Sequence, residues 1–489
     1  MVYDPNTNWS AAADDRLQAP VYFLRIEGRG ADYSTHPVKN AATTKKILMD
    51  APSGLTTSLD PISGTRPVSS VRVPLLDVDG EITKLLATEA DGAYVSSLIN
   101  RQATIYGGYR HLDEADYAAV FAGRITGVTM AGDGSRYVLT ITDPTRLLDG
   151  EIMSNATSDK PTTIAGNPIN VCWSILTGTF STTHADFPLT EVSTDTSTTS
   201  APTGLGISTS EINESQLIEQ RDAWYPDALV KVTFVAPEVA KTHLQQEFFR
   251  VFQGWPVISQ DGKIGLRFHV PPVPSAAAEE ITEDDIIGPP SWERLYSDHL
   301  NRFVYYGNYD ASADSYDAIL YNTETSADTA DQSATGETII YEVKSRWLRN
   351  DLANDYGETG ADIAADLASR MRLRYLKTPA RVVLNVGFQL TRLEEGDVVA
   401  VTHPAIPDLL TGSRGVTARL MSIVSRSVDF AKGTIRLVLL DTGFKRYGVI
   451  APSGTADYTS TTAKEQNTFV FVSNTSGQMS NGDPGYRMA

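Results

Sequence analysis

Apolar and polar residues alternate in short runs over residues 20–149, and turn residues interrupt the runs at close intervals. A period of two puts successive side chains on opposite faces, which is the pattern of half-buried strands. The runs fall at 21–28 (VYFLRIEG), 69–80 (SSVRVPLLDVDG), 94–109 (YVSSLINRQATIYGGY), 120–130 (VFAGRITGVTM) and 136–143 (RYVLTITD). Asp-Gly pairs beginning at Asp79, Asp91 and Asp133 each predict a tight hairpin, because glycine accepts a positive φ. One short helix is predicted at 81–88, where Ile82, Leu85 and Leu86 share a face. Five or more strands with short turns imply a sandwich or a small closed barrel.

The texture changes after Asp149. Residues 169–176 (INVCWSIL) read as a short apolar helix that runs into a Ser/Thr-rich loop over 181–204. A second helix is predicted from a Ser210 cap, with Leu217, Ile218 and Trp224 at helical spacing. A third spans 237–255: Pro237 opens it, Val239, Leu244, Phe248, Val251 and Phe252 form its apolar face, and Gly254 stops it. The alternation about Asp261-Gly262 signals a hairpin. Two strands, RFVYYGNYD and ETIIYEVKSRWL, flank a polar run from Thr323 to Gly336 expected to be a flexible loop. Residues 362–377 form an amphipathic helix with Ile363, Leu367, Met371 and Tyr375 in one stripe and Pro379 beyond its end.

Alternation returns over 381–444, with turns expected at Glu395-Gly396-Asp397 and Lys432-Gly433 joining neighbouring antiparallel strands. Past Lys445 the chain is rich in Ser, Thr, Gly and Asn, apart from TFVFV at 468–472, a strand to be added to the body or to a partner. The fold class expected is mainly β with an α+β middle region and two β-barrel domains. The divisions are 1–150, an N-terminal barrel; 151–300, an α+β domain with a Ser/Thr-rich loop; 301–378, strands, polar loop and linking helix; 379–446, a second barrel; and 447–489, an extended C-terminal arm.

Composition narrows the function classes. One cysteine, Cys172, in 489 residues excludes an intramolecular disulfide and a thiolate metal cluster. A formal net charge of −19, spread along the chain, disfavours general nucleic-acid binding and suits solubility. An acidic wall would also let DNA pass without sticking. The start carries acids where a signal peptide would be basic, and no apolar stretch approaches a membrane span, so the chain is expected to be soluble, without membrane insertion, and unsecreted by the usual signal.

Motifs of catalysis are missing locally. The histidines, His36, His111, His184, His243, His269, His299 and His403, show no metal-ligand spacing. His403 reads as a turn histidine satisfied by backbone, and His243 as an exposed or half-buried helix residue. There is no GxSxG, SxxK or phosphate-binding loop; GLGIST at 204–209 reads as linker, and Cys172 as a buried, inert thiol. Arg370, Arg374 and Lys377 are expected to flank a packed helix and pair with acids rather than contact nucleic acid. No catalytic, cofactor-binding or metal-ligating residue is assigned, no cofactor is expected, and the chain is read as a non-enzyme.

The strand ending Phe121-x-Gly123-x-Ile125, its hairpin, and the strand closing on Asp143 resemble the first domain of the tail hub proteins of long-tailed phages and gene transfer agents. NPINVCWSIL at 167–176, DGKIGLRF, DIAADLASRMRLRYLKTP and LEEGDVVAVTHP follow in the order that family shows, so the resemblance covers about residues 20–444. It implies two tube-like β-barrel domains per subunit and a homotrimer whose ring has pseudo-sixfold symmetry. Such a baseplate hub would join the tail tube or distal tail protein to the tail tip or central fibre, and line the channel with DNA only as passing cargo. Its place would be the virion, after assembly in the bacterial cytoplasm. Two alternatives carry different expectations: a hexameric distal tail protein ring with a carbohydrate-binding insertion, and a virion-associated hydrolase hidden in residues 150–345. A secreted carbohydrate-binding module is a third, weaker reading, because the start lacks a signal.

Overall fold

The structure is a computed structural model. It describes residues 20–442, except 87–88, 91–92, 95–97, 132–133, 158–159, 195–201, 260, 270–276 and 353–358, together with 449–450 and 469–470. The chain is mostly β, in several sheets with helices between them.

All five of the N-terminal runs contribute strands to one seven-stranded sheet. Its order is Thr44–Lys46, Ala31–Ser34, Pro20–Ile26, Gln102–Tyr109, Ala118–Ala131, Arg136–Thr142, Ser70–Leu76. The strands alternate as the sequence requires: Val71, Val73 and Leu75 are buried while Ser70 and Arg72 face out. No ring of strands closes among the described residues, which is where the structure departs from the expected barrel. Instead one irregular segment reaches from edge to edge. Met49 N donates to Ser34 O at 3.2 Å on one edge, while Asp50 N donates to Pro74 O at 3.1 Å and Leu76 N to Leu48 O at 2.7 Å on the other.

The second seven-stranded sheet runs Ala277–Ile281, Val398–Pro407, Arg414–Asp429, Thr434–Asp441, Ala380–Gly387, Ser291–Arg294. Its seventh strand comes from the far end of the chain: Leu55–Ser58 pairs with Ser425–Val428 of the long strand. Again no ring of strands closes among the described residues, and again one stretch reaches both edges. Ala277–Ile281 lies along Val398–Val401, and the residues that follow it return along Ala380–Gly387 through Ile287 N to Asn385 O at 2.7 Å and the Ser291–Arg294 pairing. Buried side chains of both sheets, from Val21 and Ile105 to Leu384 and Leu439, belong to one hydrophobic cluster.

The middle region has its own core. Two three-stranded sheets, Leu189–Thr194/Thr162–Gly166/Val230–Phe234 and Ser315–Tyr321/Arg302–Asp310/Ile340–Lys344, pack with helices Pro168–Thr177, Glu214–Trp224 and Gly360–Tyr375. The stripe Ile363, Leu367, Met371, Tyr375 is buried as the spacing predicts. Thr359 and Asp362 form the capping box that starts this helix.

Several expectations are corrected. The polar run Thr323–Gly336 is not a loop: Ser326–Thr335 is a helix, begun by a Thr325/Asp328 capping box and ended by Gly336 at φ 73°. Its polarity hid it, because it carries no apolar stripe. Asp79-Gly80 makes no hairpin but a helical turn leading into Glu81–Leu86, and the Asp91-Gly92 pair lies outside the described residues, although Glu89–Ala90 and Ala93–Tyr94 pair across it. Asn213, not Ser210, caps the helix at 214 by accepting from Gln216 N. The third helix begins at Ala240, passes through wide π turns at Leu244–Phe249, and ends at Gln253, held at φ 56°, so Gly254 starts the next strand instead of stopping the helix. The Glu395-Gly396-Asp397 turn leads into a strand that does not neighbour the preceding one, since Ala380–Gly387 pairs with Thr434–Asp441 and Ser291–Arg294. Strands Leu189–Thr194, inside the Ser/Thr-rich loop, and Ser315–Tyr321 were not expected. In the arm, Phe469–Val470 pairs in parallel with Val449–Ile450.

Candidate functional site

The seam between the two sheets collects the chemistry that the motif residues foreshadow. Asp143, 2% exposed, closes its strand and accepts from Ser69 N at 2.8 Å, Thr145 N at 3.0 Å and Arg66 Nη1 at 3.0 Å. With the Thr145 hydroxyl as well, four donors on one carboxylate fix the turn after the strand and leave the buried Arg66 charge matched. Gly123 is a matter of space: a Cβ there would lie 2.5 Å from Thr142 O on the partner strand. Phe121 and Asp143 line a small cavity between the sheets together with Leu55, Thr57, Glu395 and Arg426.

Glu394, Glu395 and Arg426 on that cavity's wall belong to a ladder of charges that continues behind it. Arg267, from the hairpin Gly254–Ile258/Ile264–Phe268, bonds Asp397 at 2.7 Å and lies 3.7 Å from Glu394. Thr57 Oγ1 donates to Glu395, and Arg426 Nη2 donates to Thr391 Oγ1 at 3.1 Å. Burial pushes the Glu394 carboxyl above the usual range although Arg267 pulls it down, and burial lowers Arg426 against the field of Glu395. Adjacent carboxylates invite comparison with a hydrolase. The cavity, however, is about 50 Å³, small beside the roughly 300–1,000 Å³ of ligand pockets. An open cleft of about 470 Å³ lies elsewhere, beside Ile62, Gln245, Arg250 and Tyr341, with one carboxylate, Glu342, on its wall. Among the described residues no group of three or more His, Cys, Asp or Glu could hold a metal ion, and no helix is long and apolar enough to cross a membrane.

The residues singled out in the sequence fall in scattered places. Cys172 is fully buried and burial pushes its thiol up, as an inert thiol requires. His403 lies within the strand Val398–Pro407, opposite Val416, and not at the turn expected; its Nδ1 does accept from backbone, Ala405 N at 3.1 Å. Residues 204–209 are irregular but fixed on the end of the helix at 168–177, with Leu205 N donating to Ile175 O at 2.9 Å and Ile207 N to Leu176 O at 3.0 Å. Arg370 pairs with Asp366 at 2.5 Å as expected; Arg374 is buried with no carboxylate partner among the described residues. His243 is neither exposed nor half-buried but buried. Its Nε2 accepts from Trp347 Nε1 at 3.1 Å, so Nδ1 carries the proton and donates to Glu238 at 2.8 Å. Arg346 completes this network through Glu238, at 2.7 Å twice, and Glu247 at 3.0 Å. Nothing in the local sequence signals that meeting of positions more than 90 residues apart.

No family model matches the chain, and no curated protein does. Solved structures do. The structural neighbours include phage tail proteins, a gene transfer agent virion and a VgrG complex. The 43 kDa tail protein of prophage MuSo2 from Shewanella oneidensis is 10% identical with a TM-score of 0.42, over 87% of this chain and 99% of that one. The tail protein from Neisseria meningitidis MC58 is 10% identical with a TM-score of 0.40, over 87% and 98%. A native gene transfer agent particle contains a chain that is 15% identical with a TM-score of 0.31, over 51% and 46%.

Proposed function

We propose that the chain is a structural, non-enzymatic protein of a phage-type tail: a baseplate hub subunit that assembles as a homotrimer. The observation that carries the reading is the packing of two seven-stranded units in one hydrophobic cluster, cross-stitched by Leu55–Ser58. Each unit then works as a small barrel sealed by one stretch of chain, the irregular residues 48–53 in the first and residues 277–294, with a strand at either end, in the second. Sealing also covers edges that would otherwise pair without control. Three chains supply six wall segments of two alternating kinds, so one face fits a sixfold tube or distal tail protein and the other a threefold tip or central fibre. The net charge of −19 suits a channel through which DNA only passes. The virion tail tip is the location this assembly implies.

Symmetry tests it. Mass measurement and axial electron-microscopy projections of the purified assembly are expected to give three copies and threefold symmetry with six similar lobes. Six copies in a sixfold ring would overturn the hub in favour of a distal tail ring. Turnover of peptidoglycan or surface polysaccharide, abolished by one Asp or Glu substitution, would overturn the non-enzymatic role.

A further inference from the structure

We propose that Lys45 and Asp32 join their side chains through an amide bond that the chain makes within itself, with Glu114 carrying the proton. The two residues stand directly opposite one another on the neighbouring parallel strands Ala31–Ser34 and Thr44–Lys46, so both side chains leave the same face of the sheet. Lys45 Nζ lies 2.7 Å from Asp32 Oδ2 and 2.8 Å from Glu114 Oε1. The three groups are shut away from water, with 4%, 3% and 9% of their side chains exposed. The buried Phe23 ring, stacked on Tyr106, floors the pocket 4.7 Å from the amine. An amine, a carboxyl to receive it and a second carboxyl to move the proton, held in contact on an apolar floor, are the parts that amide condensation needs.

In the step, the Lys45 ammonium gives one proton to Glu114, and the freed lone pair of Nζ attacks Asp32 Cγ. Arg25 Nε and Nη2, at 3.3 and 3.1 Å, and Thr43 Oγ1, at 2.7 Å, also converge on Oδ2, where they steady the charge of the tetrahedral centre. Glu114 passes its proton to Oδ1, a second proton follows from the nitrogen, and the Cγ–Oδ1 bond breaks as water leaves. One ammonium and one carboxylate become one amide and one water, Glu114 is ionised again, and no co-reactant is needed. Burial pushes the Asp32 and Glu114 carboxyls up, but the bonds from Lys45 and Arg25 outweigh it and hold both below the usual range. The resting state is therefore the ion network, which makes the step slow, and permanent contact is what lets a slow step finish. The link would pin the edge strand Thr44–Lys46, which leads into the stretch that reaches both edges of the first sheet.

The intact mass of the full chain and a tryptic map test it. After incubation to constant mass, the wild-type chain should be lighter by one water than its sequence requires, and the digest should hold residues 30–39 joined to residues 40–46, uncut after Lys45. K45M should keep its full mass. D32N should lose ammonia in place of water, which serves as the test if K45M fails to fold. E114Q should slow the loss by about 100-fold or more. A wild-type chain at full mass, with peptides 30–39 and 40–45 separate, would overturn the proposal and leave an ion pair only. Loss of water from K45M would overturn it as well.

Discussion

Asp143 receives Arg66 at 3.0 Å beside the seam, and the two stand 77 positions apart in the chain. Arg66 is itself buried, with 6% of its side chain exposed, so neither charge has water to fall back on. Replacing Asp143 by Ala strands the guanidinium and leaves Ser69 N and Thr145 N without their acceptor. The expected cost is about 3–5 kcal/mol, the usual penalty for removing one member of a buried pair. Asp143→Asn, which keeps an acceptor oxygen, should lose less. Urea unfolding of the two variants checks the order; equal midpoints for Ala and wild type would refute it.

That pair marks the boundary between what the chain announces and what only the fold reveals. Asp143 stood out in the sequence as the end of a strand, and Ile363, Leu367, Met371 and Tyr375 announced a packed helix, because local periodicity encodes local burial. Leu55–Ser58 could not be placed that way. It joins Ser425–Val428 about 370 residues on, and strand partners at such range leave no periodic trace. Glu238, Arg346 and His243 were equally silent, since a buried ion pair is specified by geometry in three dimensions and by no spacing in one. The helix at 326–335 failed for another reason: its anchoring is ionic, and a reading built on apolar stripes passes over it.

The anchor of that helix is Asp328, buried against Arg372 at 2.7 Å while the other helix residues are exposed or half-buried. Asp328→Asn should therefore release the helix without unfolding the core. Losing a charged hydrogen bond of about 2 kcal/mol corresponds to roughly a 30-fold fall in protection of its amides against hydrogen exchange. Protection in Gly360–Tyr375 should stay unchanged. A uniform fall across both helices would show that the short helix is part of the core.

Acid should find Glu238 before it finds most of the fold's hydrophobic contacts. Burial pushes this carboxyl up, but the bonds from Arg346 and His243 outweigh burial and hold it at about 2. A carboxyl depressed below its unfolded value of about 4.3 stabilises fully above that pH and loses its contribution as pH falls from there through about 2. Glu238→Gln should cost about 2 kcal/mol at pH 7, with Glu247 still holding Arg346. Its deficit against wild type should shrink between about pH 4 and pH 2. A deficit independent of pH over that window would remove Glu238 from the account.

Gly123 and Gly127 lie four residues apart on the strand Ala118–Ala131, and they make opposite predictions from one piece of geometry. At Gly123 an added Cβ would sit 2.5 Å from Thr142 O and 2.9 Å from Thr142 C, backbone atoms of the paired strand that cannot swing aside. At Gly127 the same atom would meet Thr140 Cβ at 3.7 Å, ordinary van der Waals contact. Gly123→Ala should thus force the strands apart beside Asp143 and cost about 1–3 kcal/mol, the scale of overpacking. Gly127→Ala should be neutral or stabilise by up to about 0.5 kcal/mol, because a strand glycine carries extra freedom into the unfolded chain. If close approach is why glycine stands in the Phe121-x-Gly123-x-Ile125 strand, chemical denaturation will separate the two variants, and assembly of the proposed trimer will be lost with the first alone. Equal losses would mean that the strand tolerates no side chain at either position, and steric contact with Thr142 would no longer explain Gly123.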